Sequence, residues 1–313
     1  MFAAVVTEFG KLPTYQEIPD PQPRPGEVLV DMLAVGLHRR MRSGAAGTHY
    51  TSEDTLPLVP GFDGVGRTAS GDRVFVSGLD APHGTLAQRV AVPADRLIPV
   101  PPGVASEQVA AVMNPAMSAW VALTQRASLR PGETVLVLGA TGNAGQAAVQ
   151  LAKHLGAARV IAAGRNTAVL SELLSLGADE VVALSEDGLA VAADVDVVVD
   201  YLWGPPAEAA LAAIGSSRSD SSRAVRWVHV GAMAGATITL PGAALRKTNL
   251  VISGSGQGSV SDADLHEAHR ELLEALPHTG LHVDTVNVPL ADVEQAWNRE
   301  TPSGSRVVFV MAE

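Results

Sequence analysis

Gly139, Gly142 and Gly145 stand three residues apart in TVLVLGATGNAGQAAVQLAKHLG, Thr134 to Gly156. Glycines in such a turn permit a tight bend, let backbone approach a pyrophosphate, and let a helix lie close to a strand. The first N–H groups of a helix beginning there have no internal partner and, with the helix dipole, favour an anion. Both flanking elements are legible. Val135 to Leu138 form a continuous apolar run suited to a strand buried on both faces. Ala144, Ala147, Ala148, Leu151, Ala152 and Leu155 recur at helical spacing, and Gly156 is placed to end the helix. Strand, glycine turn and helix in that order predict dinucleotide binding, with Gly139, Thr141, Gly142, Asn143, Ala144 and Gly145 around the phosphates.

The next strand decides which dinucleotide. A fold that takes NAD carries Asp or Glu about twenty residues past the glycine turn, on the ribose hydroxyls. Here VIAAGRN ends in Gly164, Arg165 and Asn166, and no acid follows until Glu172. The Arg165 fork suits a 2′-phosphate that an acid would repel, so NADPH is the expected cofactor; the alternative is a solvated surface arginine. Further contacts are expected where later strands end: at Leu202 in the stretch Tyr201 to Gly204, at Gly231, and at Ser253, Gly254 and Ser255.

The elements that hold these residues fall into two kinds. From Met1 to about Pro115, short β-type runs alternate with turns, and thirteen of the twenty prolines lie there, which reads as a partly open antiparallel barrel with few regular helices. From Ala116, strands alternate with helices, a parallel-sheet pattern. The expected strands are Val135 to Leu138, Val160 to Ala163, Glu180 to Ala183, Val195 to Asp200, Val225 to Val230 and Leu250 to Ser253. SSRSDSSR, Ser216 to Arg223, reads as a mobile polar loop. After a helix over Ser261 to Leu276, β runs return in HVDTVNVPL and SRVVFV. The expected organisation is therefore a discontinuous first domain, 1–115 and 279–313, around a doubly wound α/β domain, 116–278.

Bulk composition narrows the class. The formal charge of −11 with no long basic run disfavours nucleic acid or an anionic membrane surface as a main partner. Absence of cysteine excludes disulfides, thiolate catalysis and Cys-built zinc sites. No secretory n-region or long apolar stretch is present, and a cytoplasmic enzyme is expected.

In order and spacing, PRPGEVLV, LVPGFDGVG, GDRVF, NPAMSAW, the glycine-turn segment and the closing VPLADVEQAW with SGSRVVFV resemble the medium-chain dehydrogenase/reductase superfamily, in its zinc-independent quinone oxidoreductase branch. The resemblance implies a GroES-like β-barrel domain interrupted by a Rossmann domain. It places Asn114 of NPAMSAW on the nicotinamide side, against the plainer reading of a turn former before Pro115. It implies a homodimer joined through the last Rossmann strand, near Leu245 to Gly254. Zinc-dependent relatives ligate the metal with a Cys and a His at positions matched here by His38 and Phe62, so no metal is expected.

A metal-free site with NADPH suits an acceptor that takes hydride by its own electronics, a quinone or an α,β-unsaturated carbonyl. Candidate proton or hydrogen-bond donors are His38 in AVGLHRR, which is otherwise a satisfied structural histidine, and Tyr50. Arg39, Arg40 and Arg42 read as a solvated face, or as a pull on an anionic substrate. Asp63 is expected to order its loop through backbone N–H groups, and His266 and His269 to lie on the surface. Alternative functions are an enoyl-thioester reductase and a non-catalytic NADPH-binding sensor.

Overall fold

The computed structural model describes residues 1–52, 54–302 and 304–311. Glu53, three positions after Tyr50, and Ser303, in the closing SGSRVVFV, lie outside them, as do Ala312 and Glu313. The chain forms two compact units: Met1–Asn114, His269–Pro277 and His282–Glu313 in one, Pro115–Ala268 and His278–Leu281 in the other.

The first unit opens with the antiparallel pair β1 (Phe2–Val5) and β2 (Thr14–Glu17). Its main sheet is built on β3 (Glu27–Gly36), where Val30, Met32 and Ala34 are buried while Asp31 faces out, the period of two expected of a half-buried strand. After β3 come helix α1 (Arg39–Ala45), β4 (Asp63–Thr68), β5 (Arg73–Ser77), β6 (Arg89–Pro93) and β7 (Ile98–Pro99). Strand β3 pairs antiparallel with both β4 and β6.

Helix α2 (Ser106–Val121) departs from the proline-based expectation of few helices. Pro115 sits inside it without ending it, and Ser118 Oγ donates to the Pro115 carbonyl at 2.8 Å. Its buried Val109, Ala110, Ala111, Val112, Met113, Ala116 and Met117 outweigh the one N–H that proline removes.

The second unit holds a six-stranded parallel sheet of β8 (Thr134–Leu138), β9 (Arg159–Gly164), β10 (Glu180–Ala183), β11 (Val197–Asp200), β12 (Val225–His229) and β13 (Leu250–Gly254). The spatial order is β10-β9-β8-β11-β12-β13, so chain order reverses between β8 and β11. That switch point is where open α/β sheets take their ligands, beyond the carboxyl ends of the strands. Between the strands run α3 (Asn143–His154), α4 (Thr167–Leu173), α5 (Glu186–Leu189), α6 (Gly204–Ser217) and α7 (Gly242–Lys247). Leu136, Leu138, Ile161, Val198 and Trp227 are fully buried in its core. The Ser216–Arg223 segment is not the free loop expected: Arg218 Nη1 donates to the carbonyls of Ala193 and Val195, both at 2.9 Å, and Arg223 pairs with Asp196.

Helix α8 (Asp262–Thr279) follows, then β14 (Asp284–Pro289), the short helix α9 (Val293–Ala296) and β15 (Ser305–Val310). Strand β15 joins β3 antiparallel but β14 in parallel, so the first unit's sheet is mixed rather than antiparallel throughout. His269, expected on the surface, is 4 % exposed, with its ring centroid 5.3 Å from that of Phe75; His266 is half-buried.

Candidate functional site

Gly139 begins the turn after β8 at φ +87°, a conformation that costs little only for glycine. Its N–H and that of Ala140 both donate to the Ala163 carbonyl at 3.0 Å, tying the turn to the neighbouring strand. A methyl on Gly145 would come within 2.6 Å of Ala140 Cα and closer still to the Gly139 carbonyl, so only glycine lets α3 lie this near the turn. Gly142 differs. It caps α3 with no side-chain hydrogen bond, and a methyl there would meet nothing nearer than 3.8 Å. The start of α3 thus presents an open, anion-ready cradle, with Gly142 exposed and Thr141, Asn143 and Ala144 half-buried around it.

At the end of β9, Gly164 passes under Thr141, whose Cγ2 would lie 2.6 Å from a methyl there. Arg165 is exposed and makes no hydrogen bond or ion pair among the described residues. Asn166 Oδ1 caps α4 by accepting the Val169 N–H at 3.3 Å. Gly231 N–H donates to the Asp200 carbonyl at 3.1 Å, Ser255 N–H to the His229 carbonyl at 2.8 Å, and Ser253 and Gly254 end β13. The parallel sheet brings all these strand ends to one edge. Asn114 lies within α2, half-buried, and so is not a turn residue.

Two residues at that edge escaped the sequence reading. Asp200 is fully buried; its Oδ1 accepts the N–H groups of Leu202 at 2.8 Å and Trp203 at 3.0 Å, and its Oδ2 accepts Trp227 Nε1–H at 3.2 Å. Burial raises its pKa, against the pull of those donors. The bracket holds Trp203 at φ +54°, rare for a side-chain-bearing residue, and sets Leu202 against Gly139. His229 packs edge-on against Trp203 with centroids 4.5 Å apart, and its Nε2 is buried without a hydrogen-bond partner among the described residues. An orphaned acceptor or donor beside an open glycine cradle fits a polar ligand there. The signal available in sequence was the acid closing the fourth strand, VVVD, before the loop.

In the first unit, His38 caps α1: its Nδ1 accepts the Met41 N–H at 3.2 Å. That bond places the ring proton on Nε2, which donates to Asp63 Oδ1 at 3.0 Å. Both nitrogens are engaged and the residue is 4 % exposed, so it offers a substrate nothing in this arrangement. Burial lowers its pKa, with Asp63 opposing. Asp63 therefore orders α1 through a histidine ring rather than a loop through backbone N–H groups. Tyr50 is 71 % exposed, its ring tilted over His49 at 4.4 Å. Arg39 is exposed, but Arg40 and Arg42 are half-buried, Arg40 lying 3.5 Å over the Phe62 ring, which corrects the expected solvated face. Among the described residues no three His, Cys, Asp or Glu side chains converge as a metal site would need.

No protein-family model matches the chain. Over 359 aligned positions, covering 99 % of this chain and all of the relative, it is 33 % identical to the "Probable NADPH-dependent quinone reductase tdiC" of Emericella nidulans. Over 197 positions it is 30 % identical to the 2-methylene-furan-3-one reductase of Solanum lycopersicum, spanning 58 % of this chain and half of that protein. Among solved structures, the quinone oxidoreductase of Thermus thermophilus, determined also as its NADPH complex, matches with a TM-score of 0.82 and 30 % identity across 99 % of this chain and 100 % of that one. A GroES-like sheet and a Rossmann sheet in one chain, a glycine cradle, and full-length identity of this order place the chain in the medium-chain dehydrogenase/reductase superfamily, as a quinone oxidoreductase-like member.

Proposed function

We propose that the protein transfers hydride from NADPH to a quinone or an α,β-unsaturated carbonyl, without zinc. The open N-terminus of α3 behind Gly142, with an uncommitted Arg165 at the next strand end, carries the reading. Bound NADPH supplies the hydride. The first N–H groups of α3 would hold its pyrophosphate, and Arg165 its 2′-phosphate. Asp200 fixes the Leu202–Trp203 turn at the same edge, and His229 Nε2 stands ready to pair with a polar group of the cofactor. His38 serves as a structural cap, leaving Tyr50 as the candidate to lie against the acceptor. Asn114, Gly231 and residues 253–255 complete the proposed cofactor contacts.

One relative named as a probable NADPH-dependent quinone reductase and another named as a 2-methylene-furan-3-one reductase, whose name describes an enone, support this chemistry over a non-catalytic sensor. Steady loss of NADPH absorbance with phenanthrenequinone or benzoquinone tests it; tight cofactor binding without turnover across a panel of quinones and enones would refute it. A homodimer joined at β13 is part of the proposal: β13 is the sheet's edge, with Val251 54 % exposed and Leu245 50 % exposed beside it. A monomer by light scattering would remove it. No helix among the described residues is long and apolar enough to cross a membrane, and a cytoplasmic location is proposed.

A further inference from the structure

Helix α2 does not end as an α-helix. Ala122–Arg126 form a π-helical turn, in which the Ala127 N–H donates to the carbonyl five residues back, that of Ala122, at 2.8 Å. Such a turn widens the helix by one residue and swings the side chains at its end about 100° round the axis. Two of those side chains reach the segment that follows β13, within the same unit. Arg126 Nε donates to the Gly254 carbonyl at 2.8 Å and its Nη1 to the Ser259 carbonyl at 3.3 Å, while Gln125 Nε2 donates to the Asp264 carbonyl at 3.1 Å. Gln125 Oε1 is left buried with no hydrogen-bond partner among the described residues, a cost the fold keeps in order to make this reach.

The gripped segment, Gly254 to Ser259, carries glycine at 254, 256 and 258 and would sample many conformations if untethered. Ser259 Oγ closes its inner turn, donating to the Gly256 carbonyl at 2.7 Å and accepting the Gly256 N–H at 2.9 Å. Arg126 holds the carbonyls at both ends. Between them lies Ser255, 8 % exposed, its N–H donated to the His229 carbonyl at 2.8 Å. Its hydroxyl makes no hydrogen bond among the described residues. A buried hydroxyl without a partner, at the carboxyl end of a parallel strand, calls for a ligand. A dinucleotide lies across the switch point of such a sheet, one half on each side. The Gly139 turn and Arg165, after β8 and β9, take the adenosine side, so β13, beyond β11 and β12, stands on the nicotinamide side.

We propose that Arg126 is a positioning residue for cofactor capture: it holds the Gly254–Ser259 segment so that the Ser255 hydroxyl meets a neutral polar group, amide or hydroxyl, on the nicotinamide half. The assignment of that ligand rests on the NADPH reading above; the grip of Arg126 on the segment does not.

Fluorescence titration with NADPH, no acceptor present, tests it. The Kd should rise about fivefold or more in both Arg126→Gln and Ser255→Ala. The double variant should be within about twofold of the weaker single one, since both changes remove one contact, whereas independent effects would multiply to about 25-fold. Arg126→Lys, which can donate but lacks the planar fork, should fall between Arg126→Gln and the natural protein. Without cofactor, hydrogen exchange across 255–259 should quicken in Arg126→Gln and not in Ser255→Ala. A Kd for Arg126→Gln within about twofold of the natural protein's overturns the proposal, as does a double variant whose losses multiply. Should Arg126→Gln fail to fold, Arg126→Lys and its double variant with Ser255→Ala decide by the same rule. Quinone turnover bears on the hydride-transfer reading alone. The expected losses of affinity in a protein that reduces no quinone refute that reading and leave the role of Arg126 standing; turnover with unchanged affinity in Arg126→Gln does the reverse. No binding of NADPH to the natural protein overturns both.

Discussion

His38→Ala separates a structural histidine from a catalytic one. The substitution removes the Nδ1 acceptor that caps α1, a loss of about 1 kcal/mol. It also strips Asp63, 2 % exposed, of its Nε2–H partner, which costs about 1–3 kcal/mol for a buried acceptor left unsatisfied. Together these give about 2–4 kcal/mol, and at about 2–4 °C per kcal/mol the melting midpoint should drop by about 4–16 °C. Activity per folded molecule should change far less than the factor of about a hundred or more that loss of a general acid brings. Asn is among the best N-cap residues but is too short to replace the ring against Asp63, so His38→Asn should recover about 1 kcal/mol of the loss. Differential scanning calorimetry with quinone-reduction kinetics below the transition measures both quantities. A variant that melts with the natural protein yet loses kcat by about a hundredfold would refute the structural assignment.

Arg165→Asp should raise the KM for NADPH about tenfold or more, on the order of 1.4 kcal/mol, and an unchanged KM would exclude Arg165 from the 2′-phosphate. Gly145→Ala drives a methyl into backbone that cannot move aside and should destabilise by about 1–3 kcal/mol or more, read from urea unfolding. Gly142→Ala meets open space and should leave stability within about 0.5 kcal/mol while weakening NADPH in a fluorescence titration; equal affinity would mean that the cradle does not face the cofactor. Acidification tests the neutrality of His38. Its folded pKa lies below the ordinary value of about 6.5, so the native state binds fewer protons, and its contribution is lost as pH falls below that value. The stability difference between the natural protein and His38→Asn should therefore shrink toward about pH 5, and a difference flat in pH would contradict the lowered pKa.

The parallel sheet was legible because its signals are local. Each strand is an apolar run ending near glycine or a polar residue, and VLVLGATGNAG states its own turn. Partnerships across the chain were not. His38 and Asp63 are 25 residues apart, and nothing in AVGLHRR or PGFDG says that one ring will meet the other carboxylate. Helix α2 was obscured by Pro115, whose local cost is outweighed by burial that only the folded unit supplies. His269 sits among charged residues in LHEAHREL, and its burial depends on Phe75, a contact that helical periodicity cannot reveal. Arg306 lies in SRVVFV, whose four central residues are all buried, and the apolar run that marks the strand gives no reason to expect a buried cation in it.

The Asp200 bracket bears on how fast and how sharply a cofactor can be taken up. Three N–H donors of the chain itself converge on that one carboxylate, so folding fixes the 201–204 turn, including a Trp203 backbone that costs about 1–3 kcal/mol to hold. A loop that had to order on contact would subtract about 0.5–1.5 kcal/mol per immobilised side chain from affinity and would slow capture. Here that ordering belongs to folding. Uptake then amounts to collision with a finished surface, and escape requires no rearrangement of this turn.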